Sequence, residues 1–243
     1  MALPSTHLQT EAVGEKFPSL RLKLLLLAAL LLACCAGGGV AQTADDDDED
    51  DAQSWSELEL SLPLNKAVAL SLFGELRLER NLRDVGNTRA GAAVSFDLGR
   101  HFTLKPIYLY VPDYSPRGRT NYSHRLRLDG TIKFPLRKFT VSDRSRVEWR
   151  LRRSREDSAR YRNRLSVEFP LTVRGAELKP FVADEVFYDF GDGAWMRNRF
   201  SVGVGKNLSD RVTGETYYTL QNERDSRPGV IHVIGTGLKL TLR

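Results

Sequence analysis

Arginine and glutamate alternate along two successive segments of this 243-residue chain. Arg146, Glu148 and Arg150 occupy every second position of the first segment, and Arg162 and Arg164 keep the same spacing in the second. Guanidinium groups bind carboxylates and phosphates through paired hydrogen bonds. The chemistry predicted from these residue types is therefore charge pairing or anion binding, and either requires that the side chains share one surface.

The elements that place alternate residues on one surface are β-strands, since successive side chains of a strand point to opposite faces. The positions between the charged residues are mostly apolar, as at Val147, Trp149 and Leu165. The same alternation recurs along the whole second part of the chain and predicts an all-β protein. The predicted strands are 54–62, 67–79, 88–98, 102–110, 120–134, 138–152, 159–171, 177–189, 195–206, 210–221 and 229–242.

Strands of this length, each with one apolar and one charged face, favour an antiparallel transmembrane β-barrel of 10–12 strands. Such a barrel presents its apolar faces to lipid and its polar faces to the lumen. Short turns alternate with longer polar connections such as 80–87 and 111–119, which is typical of outer-membrane barrels. Eleven strands is an odd number where an even one is expected, so one segment is expected to be split, missed or outside the barrel, and the first segment is the main suspect. The alternative is a soluble, periplasmic, calycin-like ligand-binding barrel with the faces reversed.

In the membrane arrangement the charged face lines the lumen, where Arg and carboxylates of neighbouring strands meet. The side chains predicted to line it are Glu75, Arg77, Arg125, Arg127, Arg146, Glu148, Arg150, Arg162, Arg164, Glu168, Glu185, Arg197 and Arg199. Two interpretations remain open. Paired charges could fill a narrow lumen and fix the strand register, or the excess of Arg could make a narrow channel for small anionic solutes.

The N-terminal part of the chain has the features of an export signal. Basic residues precede an apolar run at 24–32, and small residues follow it, which predicts a signal peptide over 1–41. Lipoprotein processing at Cys34 is the alternative. The net charge of the whole chain is +5, and residues 1–41 carry three basic and two acidic side chains, so the remainder carries +4. Seven consecutive acids at 45–51 predict an acidic disordered tail over 42–53, and the barrel is predicted over 54–243.

The sequence contains no nucleotide-binding, zinc-protease or Cys-x-x-Cys motif, so no catalytic residues, metal or cofactor are predicted. Ser123 and His124 bring to mind the serine and histidine of outer-membrane lipid-modifying enzymes, but the glycine-bracketed motif of that family is missing. Nucleic acid is not expected as a partner, because the basic residues alternate with an apolar face and follow an export signal. The protein is predicted not to be an enzyme.

Several short motifs together resemble a family of Gram-negative outer-membrane β-barrels known only as a domain of unknown function. The motifs, in chain order, are Trp55–Leu62, Gly74–Arg77, Arg146-x-Glu148-x-Arg150, Arg162–Leu165, Lys179–Tyr188 and Arg199–Gly205. The resemblance covers about residues 54–242. It implies location in the bacterial outer membrane and assigns no activity. Lipid and the barrel assembly machinery are the partners expected of such a barrel, and small anionic solutes are the partners expected of a channel lined with Arg. The chain differs from many membrane barrels in ending at Arg243 without a terminal aromatic residue.

Overall fold

The structure, a computed structural model, describes residues 50–114, 120–153, 156–224 and 226–242. All of these belong to one compact unit, Asp47–Arg243. The strands are β1 (Asp50–Pro63), β2 (Val68–Glu79), β3 (Asp84–Leu98), β4 (Phe102–Tyr114), β5 (Thr120–Pro135), β6 (Thr140–Arg152), β7 (Ser158–Glu168), β8 (Leu171–Val173), β9 (Ala176–Asp189), β10 (Ala194–Asn207), β11 (Val212–Glu223) and β12 (Val230–Thr241). Among the described residues, no helix is long and apolar enough to cross a membrane.

The strands follow the alternating segments of the sequence closely, which confirms the all-β prediction. Turn chemistry separates them: Gly99 and Gly175 have φ values of 87° and 80°, in the left-handed region that glycine adopts at little steric cost. One predicted strand, 159–171, is interrupted at Pro170. Proline cannot donate a backbone hydrogen bond, and the short β8 continues the pairing with β9 beyond it.

The sheet closes into a barrel of eleven strands, with β7 and β8 forming one broken strand beside β9. Around the ring the order is β1 to β7, then β9, β10, β11 and β12. Every neighbouring pair is antiparallel except β1 and β12, which run parallel from Asp50↔Val230 to Ser61↔Thr241. The first strand, which was suspected of lying outside the barrel, is therefore part of the ring, and the segment that is split is the predicted strand 159–171. An odd number of strands can close because a parallel pair also satisfies its backbone hydrogen bonds.

The barrel begins earlier than predicted, because β1 starts at Asp50 and not at residue 54. Asp51 is buried, and its Oδ1 accepts a hydrogen bond of 2.8 Å from the backbone N–H of Asn81. The Asn81 side chain in turn accepts a hydrogen bond from the Ala52 N–H at 3.1 Å. Residues 50–53 of the predicted tail are thus held in the sheet, while residues 42–49, the predicted signal peptide and Cys34 lie outside the described residues.

The two ends of the barrel are named here for their connections. The loop end carries connections 80–83, 115–119, 153–157, 190–193 and 224–229, and the turn end carries 64–67, 99–101, 136–139, 169–175 and 208–211. The predicted loop over 80–87 is only four residues long, since β3 begins at Asp84 and Arg80 to Leu82 turn with positive φ. Because the number of strands is odd, β1 begins at the loop end and β12 finishes at the turn end.

Candidate functional site

The two faces of the sheet carry opposite kinds of side chain. On β5, Leu126 and Leu128 are exposed, with 46% and 41% of their surface accessible, whereas Arg127 and Asp129 are buried at 9% and 4%. Leucine outside and charge inside is the reverse of a soluble barrel, so the calycin-like alternative is not favoured. The exposed large apolar side chains on strands include Leu58, Leu72, Leu76, Phe96, Leu98, Tyr108, Tyr110, Ile132, Phe134, Trp149, Leu151, Leu165, Phe200, Ile234 and Leu238.

The residues predicted to line the lumen fall into three groups. A cavity of about 400 Å³ inside the barrel is lined by Glu75, Arg77, Arg127, Arg146, Arg162, Arg164, Glu185 and Arg199, among others. A second group makes ion pairs outside the lining of that cavity: Arg125, Glu148, Arg150 and Arg197. Glu168, at the end of β7, is half-buried and has no ion pair among the residues that the structure describes.

Glu148 is the most deeply buried carboxylate of the interior, at 1% exposed. Its Oε2 accepts a hydrogen bond from Nε of Arg127, on the neighbouring strand β5, at 2.5 Å. The Arg125 and Arg162 guanidinium groups lie within 3.8 and 3.9 Å of the same carboxylate. Three adjacent strands, β5, β6 and β7, are thereby joined through one glutamate.

Glu185, on β9, joins the next strands of the ring in the same way, through ion pairs with their arginines. Nε and Nη2 of Arg162 donate to its two oxygens at 3.1 and 2.9 Å in a bidentate pair. Arg144, on β6, donates to its Oε1 at 2.8 Å, reaching past β7. The Arg199 guanidinium on β10 lies 3.9 Å away. Charge pairing therefore runs without a break from β5 to β10.

Two further acids complete this part of the network. Asp129 accepts a bidentate pair of hydrogen bonds from Arg146 at 2.6 and 2.5 Å. Asp189, where β9 ends, is paired with Arg150 and lies 3.5 Å from Arg160. Bidentate Arg–carboxylate geometry stabilises a buried pair that would otherwise cost more in desolvation than it gains.

Two aromatic rings connect this network to the far side of the barrel. Phe187, 1% exposed, has the guanidinium groups of Arg162 and Arg199 at 4.4 and 4.7 Å from its ring centre. Trp55, on β1, has those of Arg77 and Arg199 at 3.7 and 4.7 Å. Guanidinium stacking on desolvated aromatic rings is attractive, so Arg199 links β9, β10 and β1 across the interior.

On the β1–β3 side, Glu75 is the central acid. Its Oε1 accepts from Nε of Arg77 at 2.5 Å and its Oε2 from Nη1 of Arg89 at 3.1 Å. Glu59 lies 3.4 Å from both Lys105 and Lys239. The interior thus has charged pairs around most of its circumference, with Ile107 and Leu109 of β4 supplying an apolar patch.

The loop-end half of the interior is packed, and the turn-end half is partly open. The inward side chains that are buried beyond the cavity, toward the loop end, are Asp51, Gln53, Val111, Ser123, Glu148, Phe187, Asp189, Gln221, Ile231 and Val233. Toward the turn end the inward residues Asp97, Lys133, Thr213 and Lys239 are exposed. The network therefore forms the closed end of a cavity that opens toward the turns.

The residues considered for chemistry other than charge pairing do not come together. Ser123 is buried inside, where it accepts a hydrogen bond from Arg125 at 3.4 Å. His124 faces outward and is hydrogen-bonded to Tyr108 at 2.7 Å. Neighbours on a strand point to opposite faces, so these two residues form no dyad. Within the described ranges, no group of three or more His, Cys, Asp or Glu side chains could hold a metal ion.

Trp55 and Phe187 are two interior residues that were not among those predicted to line the lumen. Both are aromatic and were not assigned to the charged face, although the signal was present. Trp55 shares its parity with Glu57 and Glu59, and Phe187 shares its parity with Glu185. The position of each residue in the alternation therefore indicates the inward face, whatever the residue type.

Fold and interior together define a closed β-barrel with an apolar outer surface and a charge-paired interior. The model of a family described as "Protein of unknown function (DUF2490)" matches residues 52–230. The chain belongs to this family. The matched region begins in β1 and ends where β12 begins, so it spans almost the whole barrel. The chain matches no curated protein.

Proposed function

We propose that the protein is an outer-membrane β-barrel whose interior is closed by the charged network, so that it is a structural barrel and not an open pore. The observation that carries the proposal is the distribution of side chains between the two faces. Leucine and aromatic side chains cover the outside of the strands, while Arg, Glu and Asp are buried inside. An outer face this apolar is unfavourable in contact with water, whereas it is favourable in contact with lipid.

The height of the apolar belt supports a membrane location. On β5, the outward positions from His124 to Phe134 are ten residues apart. That distance is about 34 Å along a strand at ~3.4 Å per residue, and about 26 Å along the barrel axis at a tilt of ~40°. The apolar band of outer-membrane barrels is ~25 Å tall.

Aromatic clusters near both ends of the barrel support the same location. Near the loop end, Tyr108, Tyr110 and Tyr122 surround His124 with ring centres 5.6–5.9 Å from it. Near the turn end, Phe139 and Phe169 are 6.1 Å apart. Amphipathic rings collect at the level of lipid headgroups, where one edge contacts acyl chains and the other contacts water.

The location is tested by fractionation and labelling of whole cells. We expect the full chain in the outer-membrane fraction, soluble only in detergent and with heat-modifiable migration. Single cysteines at Asp192, at the loop end, and Arg174, at the turn end, report orientation when Cys34 and Cys35 are replaced by alanine. An impermeant maleimide should label the Asp192→Cys variant in intact cells and the Arg174→Cys variant only after lysis. Recovery in the soluble periplasmic fraction would refute the membrane location.

The closed interior is tested separately, by conductance of the purified barrel in planar bilayers. We expect no steady current from the wild-type chain, because Glu148, Phe187, Val111 and Val233 exclude solvent from the loop-end half. An ohmic current from the wild type would refute the closed form.

A gated route for small anions is the second candidate function. The observation in its favour is the composition of the cavity lining, which has nine Arg and Lys against six Asp and Glu. Such an excess favours anions. If the network opens, current should appear in bursts and reverse at a potential that shows anion selectivity in a salt gradient.

A further inference from the structure

The cavity at the turn-end side of the network has an arginine whose guanidinium group is not held in an ion pair among the described residues. Arg164 lines the cavity and faces Arg144 directly across the β6–β7 pair. Like charges in this position destabilise a sheet. The neighbouring carboxylate, Glu185, already accepts hydrogen bonds from Arg162 and Arg144. Among the described residues Arg164 has no hydrogen bond or ion pair, and Nε of Arg144 is buried without an acceptor.

Two carboxylates that make no hydrogen bond or ion pair among the described residues line the same cavity, one on β1 and one on β11. Glu215 on β11 and Glu57 on β1 flank Gly237 of β12 at one level of the sheet. Glycine leaves no side chain between them. In the part of the chain that the structure describes, neither glutamate has a hydrogen bond or ion pair. Both glutamates are exposed, and both line the cavity.

The Arg164 guanidinium and the Glu57 carboxylate lie on opposite sides of the barrel, and Glu215 lies on the wall between them. Five strands separate β1 from β7 in one direction round the ring and four in the other, which places Glu57 and Arg164 on opposite walls. A cavity of about 400 Å³ lies between them, at the small end of the range of ~300–1,000 Å³ for ligand pockets. A solute with one charge would satisfy only one wall and leave the other without a partner.

We propose that this cavity binds a small zwitterionic solute, with its carboxylate on Arg164 and Arg144 and its ammonium group toward Glu57 and Glu215. The proposal rests on the closed barrel proposed above, because the network makes the cavity a dead end rather than a passage. The solute enters from the turn end, where the inward residues Asp97, Lys133 and Thr213 are exposed. Bidentate guanidinium–carboxylate geometry orients one end of the solute, and the acidic wall selects an amine at the other.

Linear ω-amino acids test the proposal, because their length measures the span between the walls. The probes are glycine, β-alanine, 4-aminobutyrate and 5-aminopentanoate, with butyrate and butylamine as matched single-charge controls. Trp55 lines the closed end of the cavity and provides the signal. The other two of the three tryptophans, Trp149 and Trp195, are exposed on the outside and are replaced by phenylalanine.

We expect saturable changes in Trp55 fluorescence with an optimum chain length, and binding of butyrate and butylamine at least about tenfold weaker, which is ~1.4 kcal/mol. Arg164→Gln should weaken binding of the best ω-amino acid about tenfold or more and leave the binding of butylamine unchanged. Glu57→Gln should weaken binding of the same ω-amino acid by a similar factor and leave the binding of butyrate unchanged. Arg137→Gln, in the exposed turn 136–139, is the control and should bind like the wild type.

Three results would overturn the proposal: butyrate binding as tightly as the zwitterions, butylamine doing so, or no binding of any probe by a folded barrel. Folding of each variant is checked by heat-modifiable migration. The result of the binding experiment does not depend on whether the barrel lies in the outer membrane. Binding by a chain found in the soluble fraction would keep the site and refute the membrane proposal, and a membrane barrel that binds no probe would do the reverse.

Discussion

The guanidinium carbon of Arg199, on β10, lies 4.7 Å from the ring centre of Trp55, on β1. Two strands, β11 and β12, separate these residues along the sheet, so the contact crosses the interior. It joins the part of the network built on Glu148 and Glu185 to the part built on Glu75. This single stack therefore completes the closed end of the cavity.

Replacing Trp55 with alanine should open this end. The change removes the ring that lies under Arg77 and Arg199, and loss of a buried tryptophan costs about 3–5 kcal/mol of unfolding free energy. We expect a lower urea midpoint for unfolding in detergent, together with a current in planar bilayers that the wild type lacks. Trp195→Ala, at an outer position that is 54% exposed, is the control and should stay closed. A Trp55→Ala barrel that conducts no current and unfolds at the wild-type urea midpoint would contradict the role of Trp55 in closing this end.

Replacing Glu148 with glutamine should destabilise the barrel while keeping its shape. Arg127, Arg125 and Arg162 all lie within 4 Å of this carboxylate, and its removal leaves buried cations unpaired. Breaking such a buried pair costs about 3–5 kcal/mol. Urea unfolding measures the loss, and Glu177→Gln, at an exposed position, is the matched control. Stability equal to that of the wild type would mean that water solvates these arginines.

Replacing Leu128 with arginine should impair insertion into lipid. Leu128 faces outward near the middle of β5, and arginine at the middle of a bilayer costs ~2–4 kcal/mol in a membrane barrel. The yield of folded protein in phosphatidylcholine vesicles measures the effect. Leu136→Arg, in the turn 136–139, is the control because it lies beyond the belt. Equal yields from both variants would contradict the lipid-facing assignment, since a water-exposed leucine tolerates this change.

Replacing Gly235 with alanine should disturb the closing seam. A Cβ at this position would lie 2.0 Å from the Tyr217 ring, whereas one at Gly74 would meet nothing nearer than 3.8 Å. Overpacking of this kind costs about 1–3 kcal/mol. We expect Gly235→Ala to lower the urea midpoint and Gly74→Ala to leave it nearly unchanged. Adding Tyr217→Ser to Gly235→Ala should restore most of the lost stability, because it removes the ring that the new Cβ would meet. If the effects of the two changes simply add, the two residues do not contact each other.

The sequence by itself determined the strands and the two faces of each strand. Alternation is a local property, because the side chain of residue i+2 always returns to the face of residue i. For this reason Leu128 and Arg127 could be assigned to opposite faces, and turns near Gly99 and Gly175 could be placed, before any pairing was known. The same alternation also indicated that Trp55 points inward, because it lies two residues before Glu57.

Tertiary structure alone decided which residues meet across the barrel. The parallel pairing of β1 with β12 depends on the number of strands and on their stagger, and neither is fixed by any one strand. Arg199 reaches Trp55, and Arg164 lies opposite Glu57 without an ion pair among the described residues, only because the sheet closes at that register. The charged face follows from spacing within each strand, whereas the closed end and the cavity follow from contacts between strands far apart in the sequence.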